Sequence, residues 1–214
     1  MRRILKRMLL LLGINIMFRA LLFSVIFAIT SQAYAADERI VLAGGCFWGM
    51  EAVYRHVNGV KEVMPGYAGG EADTAHYEMV GTGKTGHAEA VEVIYDPAQI
   101  NLEQILKIYF LAAHNPTELN YQTPDHGTQY RSAIFYSDED QKKAAQDMIG
   151  KLTNNKAFSK PIVTTLELLK QFYPAEEYHR NYAALNPYSP YIIMYDKPRV
   201  QNVKQYFPEL YRDK

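Results

Sequence analysis

The apolar positions change period several times along the chain, and each change marks an element. Arg39-Ile40-Val41-Leu42 is a short continuous apolar run and reads as a buried strand. From Phe47 to Val57 the period turns helical, with Phe47, Met50, Val53, Tyr54 and Val57 on one face. Gly59 to Tyr67 reads as a strand stopped by Pro65-Gly66. Ala88 to Tyr95 is the strongest strand signal and closes at Asp96-Pro97. Alternation there puts Glu89, Val91, Val93 and Tyr95 on one side and Ala90, Glu92 and Ile94 on the other. Asn101 to His114 predicts a helix capped by Asn101, with a stripe of Leu102, Ile105, Leu106, Tyr109 and Ala113. Ser132 to Tyr136 predicts a strand, and Asp138 to Leu152 a helix with Ser137 as cap and an acidic first turn. Ile162 to Leu169 predicts a strand and Tyr178 to Leu185 a short helix. After Tyr195 the pattern is irregular, with one helical turn near Val203 to Leu210. Strands alternating with long helices predict an α/β layered sheet with helices packed on it. Pattern alone leaves parallel and antiparallel pairing open.

Two loops, Ala68 to Gly86 and Asn115 to Tyr130, are longer than a connection needs. They carry tyrosines, His76, Asp125 and His126, with His87 next to the first, and read as walls of a site.

Residues 1–35 differ in kind. They hold Arg2, Arg3, Lys6, Arg7 and Arg19 and no acidic residue, then an apolar stretch from Ala20 to Thr30, then Ala33-Tyr34-Ala35. This predicts a signal peptide over 1–35, cleaved after Ala35, with Met17 as an alternative start. Left uncleaved, the leader would be the chain's one tie to a membrane, although Arg19 interrupts its apolar run. Export to a bacterial periplasm is the expectation. No cysteine follows the apolar stretch, which argues against a lipoprotein anchor. The remaining 36–214, 179 residues, suit a single domain. Without the five leader cations, 18 basic residues face 23 acidic ones, a formal net charge of −5. With no basic run either, a nucleic-acid partner is not expected. A monomer is expected.

The chain has one cysteine and one tryptophan, Cys46 and Trp48, in Gly44-Gly45-Cys46-Phe47-Trp48-Gly49. Cys46 therefore sits at a Gly-rich strand-to-helix turn. Free N–H groups and the helix dipole favour a thiolate there, with a pKa expected below the free value of about 8.5. The bland alternative is a buried, inert core thiol. A lone thiol in an oxidising compartment nevertheless calls for a function.

Two chemistries are open to it. Attack on carbon, as in a cysteine hydrolase, needs a histidine base oriented by Asn or Asp. Six histidines, including His179 far downstream, leave that reading open. Attack on an oxidised sulfur needs an acid to protonate the departing oxygen, donors around that oxygen and an apolar pocket. Glu89 shares its strand face with valines. If that face is the core face, burial raises its pKa and keeps a proton available; otherwise it is a solvated strand glutamate. Phe47 and Trp48 either line an apolar pocket or pack in the core, a role that suits Phe47 better. Glu51, four residues before Arg55, reads as half of a surface pair. His56, His114 and His179 read as structural or surface residues. His76 and His87 flank Tyr77 and Glu89, but no third ligand is evident, so no metal site is expected.

Gly45-Cys46-Phe47-Trp48-Gly49 resembles the signature of the A-type peptide methionine sulfoxide reductases. Further matches follow in order: Pro65 to Gly70, His76-Tyr77-Glu78, Thr85 to Val91 and Asp125 to Ser132. The similarity runs from about Val41 to Tyr182. The resemblance implies a two-layer sandwich, a mixed sheet packed by helices, with the catalytic cysteine at the N-terminus of the first helix. It implies that Cys46 attacks the sulfoxide sulfur and that Glu89 protonates the oxygen. Tyr77 and Tyr130 would donate to that oxygen, Phe47 and Trp48 would hold the ε-methyl group, and Asp125 would orient substrate or water. The substrate would be methionine S-sulfoxide, free or in oxidised proteins, with no metal or organic cofactor. Many members carry further C-terminal cysteines that resolve the sulfenic acid, and this chain has none. An external thiol would then be required: a thioredoxin-like protein, glutaredoxin with glutathione, or a small thiol.

Overall fold

The computed structural model describes residues 36–213. The segment 1–35, with the expected signal peptide and its cleavage point, lies outside the described residues. Among the described residues no helix is long and apolar enough to cross a membrane.

The strands, in chain order, are β1 (Glu38–Gly44), β2 (Val60–Ala68), β3 (Ala88–Tyr95), β4 (Tyr121–Gln122), β5 (Asp125–His126), β6 (Ser132–Tyr136), β7 (Thr165–Leu168) and β8 (Phe172–Pro174). The α-helices are α1 (Phe47–Arg55), α2 (Tyr77–Val80), α3 (Leu102–Ile108), α4 (Glu139–Asn154), α5 (Tyr182–Leu185) and α6 (Lys197–Tyr206). Six strands form one sheet in the order β7-β6-β1-β3-β2-β8, while β4 and β5 pair separately. The β6–β7 pair is parallel and the others are antiparallel, so the sheet is mixed. The parallel pair is the one joined through a long helix, α4, as a crossover requires.

From Ile40 to Ala43, β1 is apolar without interruption because it is buried there on both faces. Ile40 and Leu42 join Val91, Val93, Tyr95 and Ile134 in the main core. The helices supply Phe47, Met50, Val53, Tyr54, Ile105, Leu106, Ile108, Met148 and Val203 to that same cluster. Val41 and Ala43 join Ala68, Ala88, Ala90, Ala133, Phe135 and Phe172 in a smaller cluster on the other face. The valine face of β3 is thus the main core face, and it is the face that carries Glu89. Each large side chain fully buried in that core contributes roughly 1.5–3 kcal/mol.

Several elements depart from the pattern-based reading. β2 does not stop at Pro65-Gly66 but runs through to Ala68. Pro65 O accepts from Ala175 N–H at 2.9 Å, so Pro65 turns its nitrogen to the β8 side, just beyond the residues that β8 pairs. Its missing N–H therefore costs no bond to β3. The cap of α4 is Asp138, which accepts from Gln141 N–H at 2.8 Å, and not Ser137. Asn101 does cap α3, in a capping box with Gln104. The expected helix from Tyr178 to Leu185 breaks at Asn181, whose φ is 56°. β8 had no expectation at its position, and the helical turn expected near Val203 to Leu210 is the end of α6, which begins earlier, at Lys197, and stops at Tyr206.

Candidate active site

β1 ends at Gly44, and Gly45 turns the chain with φ 87°, a conformation that favours glycine. A Cβ at Gly45 would also lie 2.5 Å from the Gln122 side chain. Cys46 is the N-cap residue of α1 but makes no side-chain cap bond. That service comes from β3: Glu89 Oε2 accepts the Phe47 N–H at 3.0 Å. A carboxyl is thereby locked at the start of the helix, one residue from the thiol.

Glu89 is 2% exposed. Burial, reinforced by the Asp125 charge, pushes its carboxyl up to about 8, against the Phe47 N–H and a Cys46 hydrogen bond that pull it down. At neutral pH it holds a proton beside Cys46. For Cys46 the expectation of a lowered pKa is overturned. Burial, then the carboxyls of Glu89, Asp196 and Asp125, push the thiol well up, and the Trp48 backbone N–H offsets only part of this. An exposed first-turn position is worth typically 0.3–1 kcal/mol to an anion, less than burial in this pocket costs it. The resting group is a thiol.

Tyr77 and Tyr130 are half-buried and both feel the charges of Glu89, Cys46 and Asp125. Burial first, then Glu89, pushes Tyr77 up to about 12 and raises Tyr130 as well, so both phenols keep their protons and can donate. Asp125 accepts a short hydrogen bond from the Tyr191 hydroxyl. Phe47 is fully buried, its ring centroid 5.9 Å from Tyr67 and 4.9 Å from His179. Trp48 is half-buried, stacked on Tyr182 at 3.8 Å and edge-on to Tyr191 at 5.9 Å. The structure therefore brings together Cys46, Glu89, Phe47, Trp48, Tyr77, Asp125 and Tyr130, from four separate segments of chain.

Other residues stand elsewhere than expected. Glu51 is not half of a surface pair: it is 2% exposed and takes the Asn181 N–H on both oxygens, at 3.1 and 3.0 Å, with Arg55 at 3.5 Å. His87 is buried and holds the Gly70–Glu71 loop, accepting from Gly70 N–H at 3.2 Å. His114 is structural, one of the two roles expected for it: burial pushes it down to about 3 between Tyr109 O and Ser132 Oγ. Glu176 carries no signal of its own in the sequence, yet it accepts from Tyr67 Oη at 2.7 Å and Tyr77 N–H at 3.0 Å. The same holds for Tyr191, Asp196 and the place of His179 against Trp48. The tyrosine-rich tail after Pro174 was the available signal, but it carries no clear period. A cavity of about 490 Å³ beside α1 is lined by residues including Glu51, Arg55, Asn181 and Lys197, and Cys46 is not among them.

No histidine among the described residues hydrogen-bonds Cys46, and His114 and His179 are committed elsewhere. The hydrolase alternative lacks its base. Among the described residues no group of three or more His, Cys, Asp or Glu could hold a metal ion. A lone thiol beside a protonated carboxyl and two phenol donors, on this mixed sheet, defines a cysteine-dependent oxidoreductase.

Known proteins agree. The family model described as peptide methionine sulfoxide reductase matches residues 38–210. Peptide methionine sulfoxide reductase MsrA 2 of Mesorhizobium japonicum is 52% identical over 183 residues, 86% of this chain and 94% of that protein. The MsrA of Trichodesmium erythraeum is 50% identical, over 80% of this chain and 97% of its own. Among solved structures, reduced Mxr1 from Saccharomyces cerevisiae matches with a TM-score of 0.65 and 34% identity, covering 74% of this chain and 92% of that one. Methionine sulfoxide reductase A of Corynebacterium diphtheriae gives 0.61 and 32%, covering 73% and 77%. The chain belongs to the peptide methionine sulfoxide reductase family.

Proposed function

We propose that the protein reduces methionine S-sulfoxide, free or within oxidised proteins, to methionine at the expense of an external thiol. The observation that carries this reading is Glu89, buried, proton-bearing and fixed by the Phe47 N–H beside Cys46. Glu89 gives its proton to the sulfoxide oxygen as Cys46 attacks the sulfur, and the thiol proton restores the carboxyl. The sulfur–sulfur bond so formed then breaks as the oxygen passes from the methionine sulfur to the Cys46 sulfur, so methionine leaves and one thiol and one sulfoxide become one sulfenic acid and one thioether. Tyr77 and Tyr130 donate to the oxygen as charge develops on it. Phe47 and Trp48 hold the ε-methyl group, and Asp125, held by Tyr191, orients substrate or water.

Cys46 is the only cysteine, so no second thiol of this chain can resolve the sulfenic acid. The reductant is a thioredoxin-like protein, glutaredoxin with glutathione, or a small thiol. The leader exports the chain to a bacterial periplasm with cleavage after Ala35, and the protein acts there as a monomer in repair of oxidised proteins. The test is turnover of a methionine sulfoxide peptide, S against R epimer, with dithiothreitol, thioredoxin and glutaredoxin compared. The S epimer alone should react, and a dimedone-type probe should trap Cys46 only after sulfoxide is added. Equal turnover of both epimers would overturn the reading.

A further inference from the structure

Four aromatic rings converge on one imidazole that the reaction does not use. His179 is 1% exposed. Its ring centroid lies 4.3 Å from Tyr178, 4.4 Å from Tyr77, 4.9 Å from Phe47 and 5.8 Å from Trp48. Its Nδ1 meets the Trp48 Nε1 at 3.1 Å. An indole N–H only donates, so Nδ1 must carry a lone pair and the imidazole proton must sit on Nε2. Nε2 has no hydrogen-bond partner, and a Glu176 oxygen stands 4.0 Å away. The other contacts on Trp48, from Tyr182 and Tyr191, are ring contacts. The bond from His179 is the one that fixes the indole's direction.

We infer that His179 is a positioning residue for the sulfoxide-methyl pocket: its neutral imidazole holds the Trp48 indole in place, and protonation of Nδ1 releases the ring. This rests on the proposed role of Trp48 in holding the methyl group. An imidazolium has no acceptor, so the same proton that charges His179 removes the bond. The groups that face the imidazole are Glu176 and Tyr178 from its own segment, Tyr77 and Glu78 from α2, and Phe47 and Trp48 from α1. Burial lowers the pKa of His179, while Glu176 and Glu78 oppose that fall. Release therefore belongs to acid, below the usual histidine range of about 6.5.

Trp48 is the only tryptophan, so indole fluorescence reports on this ring alone. The experiment follows Trp48 emission and the KM and kcat for a methionine S-sulfoxide peptide across acid pH. It compares the wild type with His179→Asn, which keeps an acceptor near Nδ1 but cannot titrate, and with His179→Phe, which has no acceptor. In the wild type, emission and KM should shift together in one acid transition. His179→Asn should keep a KM near the wild type and lose that transition in both readouts. His179→Phe should have a KM about tenfold above that of the wild type at neutral pH, the loss of roughly one hydrogen bond, and should show no acid transition, with kcat little changed. An acid transition that persists in His179→Asn, or a fall in kcat with unchanged KM in His179→Phe, would overturn the inference. Trp48→Phe separates the two readings: unchanged KM there removes the proposed role of Trp48 itself.

Discussion

Two buried carboxyls bear on Cys46, and they differ in what holds them. Glu89 comes from the middle of the sheet and accepts the first N–H of α1. Asp196 precedes α6, is 0% exposed, and neither of its oxygens has a hydrogen-bond partner. It packs against the helix backbone instead: a Cβ at Gly49 would lie 2.4 Å from its Oδ1. Burial pushes Glu89 up to about 8 and Asp196 up to about 7, the latter against the pull of Arg199. Similar shifts thus arise in different settings. Held by the Phe47 N–H and hydrogen-bonded with Cys46, the Glu89 carboxyl carries its proton on the thiol's side. Asp196 has no such partner, and burial favours its protonated form. A perturbed pKa marks a candidate acid, and the bonding around it decides whether the proton can be delivered.

The contrast is easiest to break through catalysis. Glu89→Gln should lower kcat/KM by about 10²- to 10⁴-fold, the range for loss of a general acid, while Asp196→Asn should stay within a few-fold. Equal losses, measured on one sulfoxide peptide, would erase the distinction. The pH profile comes next. Because Glu89 must be protonated to act, kcat/KM should fall as pH rises through about 8, and Asp196→Asn should leave that alkaline limb in place.

Stability reads the other side of the comparison. A carboxyl whose folded pKa lies above its unfolded value binds more protons in the native state, so stability falls as pH rises from the unfolded value of about 3.9 to the folded one. For Asp196 that window closes near 7. Asp196→Asn should therefore flatten the pH dependence and gain about 2 to 3 kcal/mol at pH 8 relative to pH 5, read by urea unfolding. The smallest expected effect is at the contact itself. Gly49→Ala should cost about 1–3 kcal/mol by pressing a methyl on Asp196 and Arg199, and less in the Asp196→Ala background.

Much of this site is legible as text because its parts lie on strong local patterns. The alternation of β3 points Glu89 at the valine face, and the glycines before Cys46 announce the turn. The long loops with Tyr77, Asp125 and Tyr130 stand out by length and composition. Pro65 misled because a proline's cost depends on which side of the strand lacks a partner. Glu51 misled because an i,i+4 pairing with Arg55 looks the same whether the face is wet or covered by residues 181–197.

The sequence by itself determined the order of the main strands and helices, the valine face of β3, the cap at Asn101, the lone thiol and the family. Those follow from periods, turn chemistry and residue types, which act over a few positions. Tertiary structure alone decided that Glu89 caps α1 across 42 positions and that His179 takes the Trp48 N–H across 131. It also decided that Cys46 rests as a thiol, because burial and three carboxyls from distant segments outweigh the helix end that the local sequence advertises.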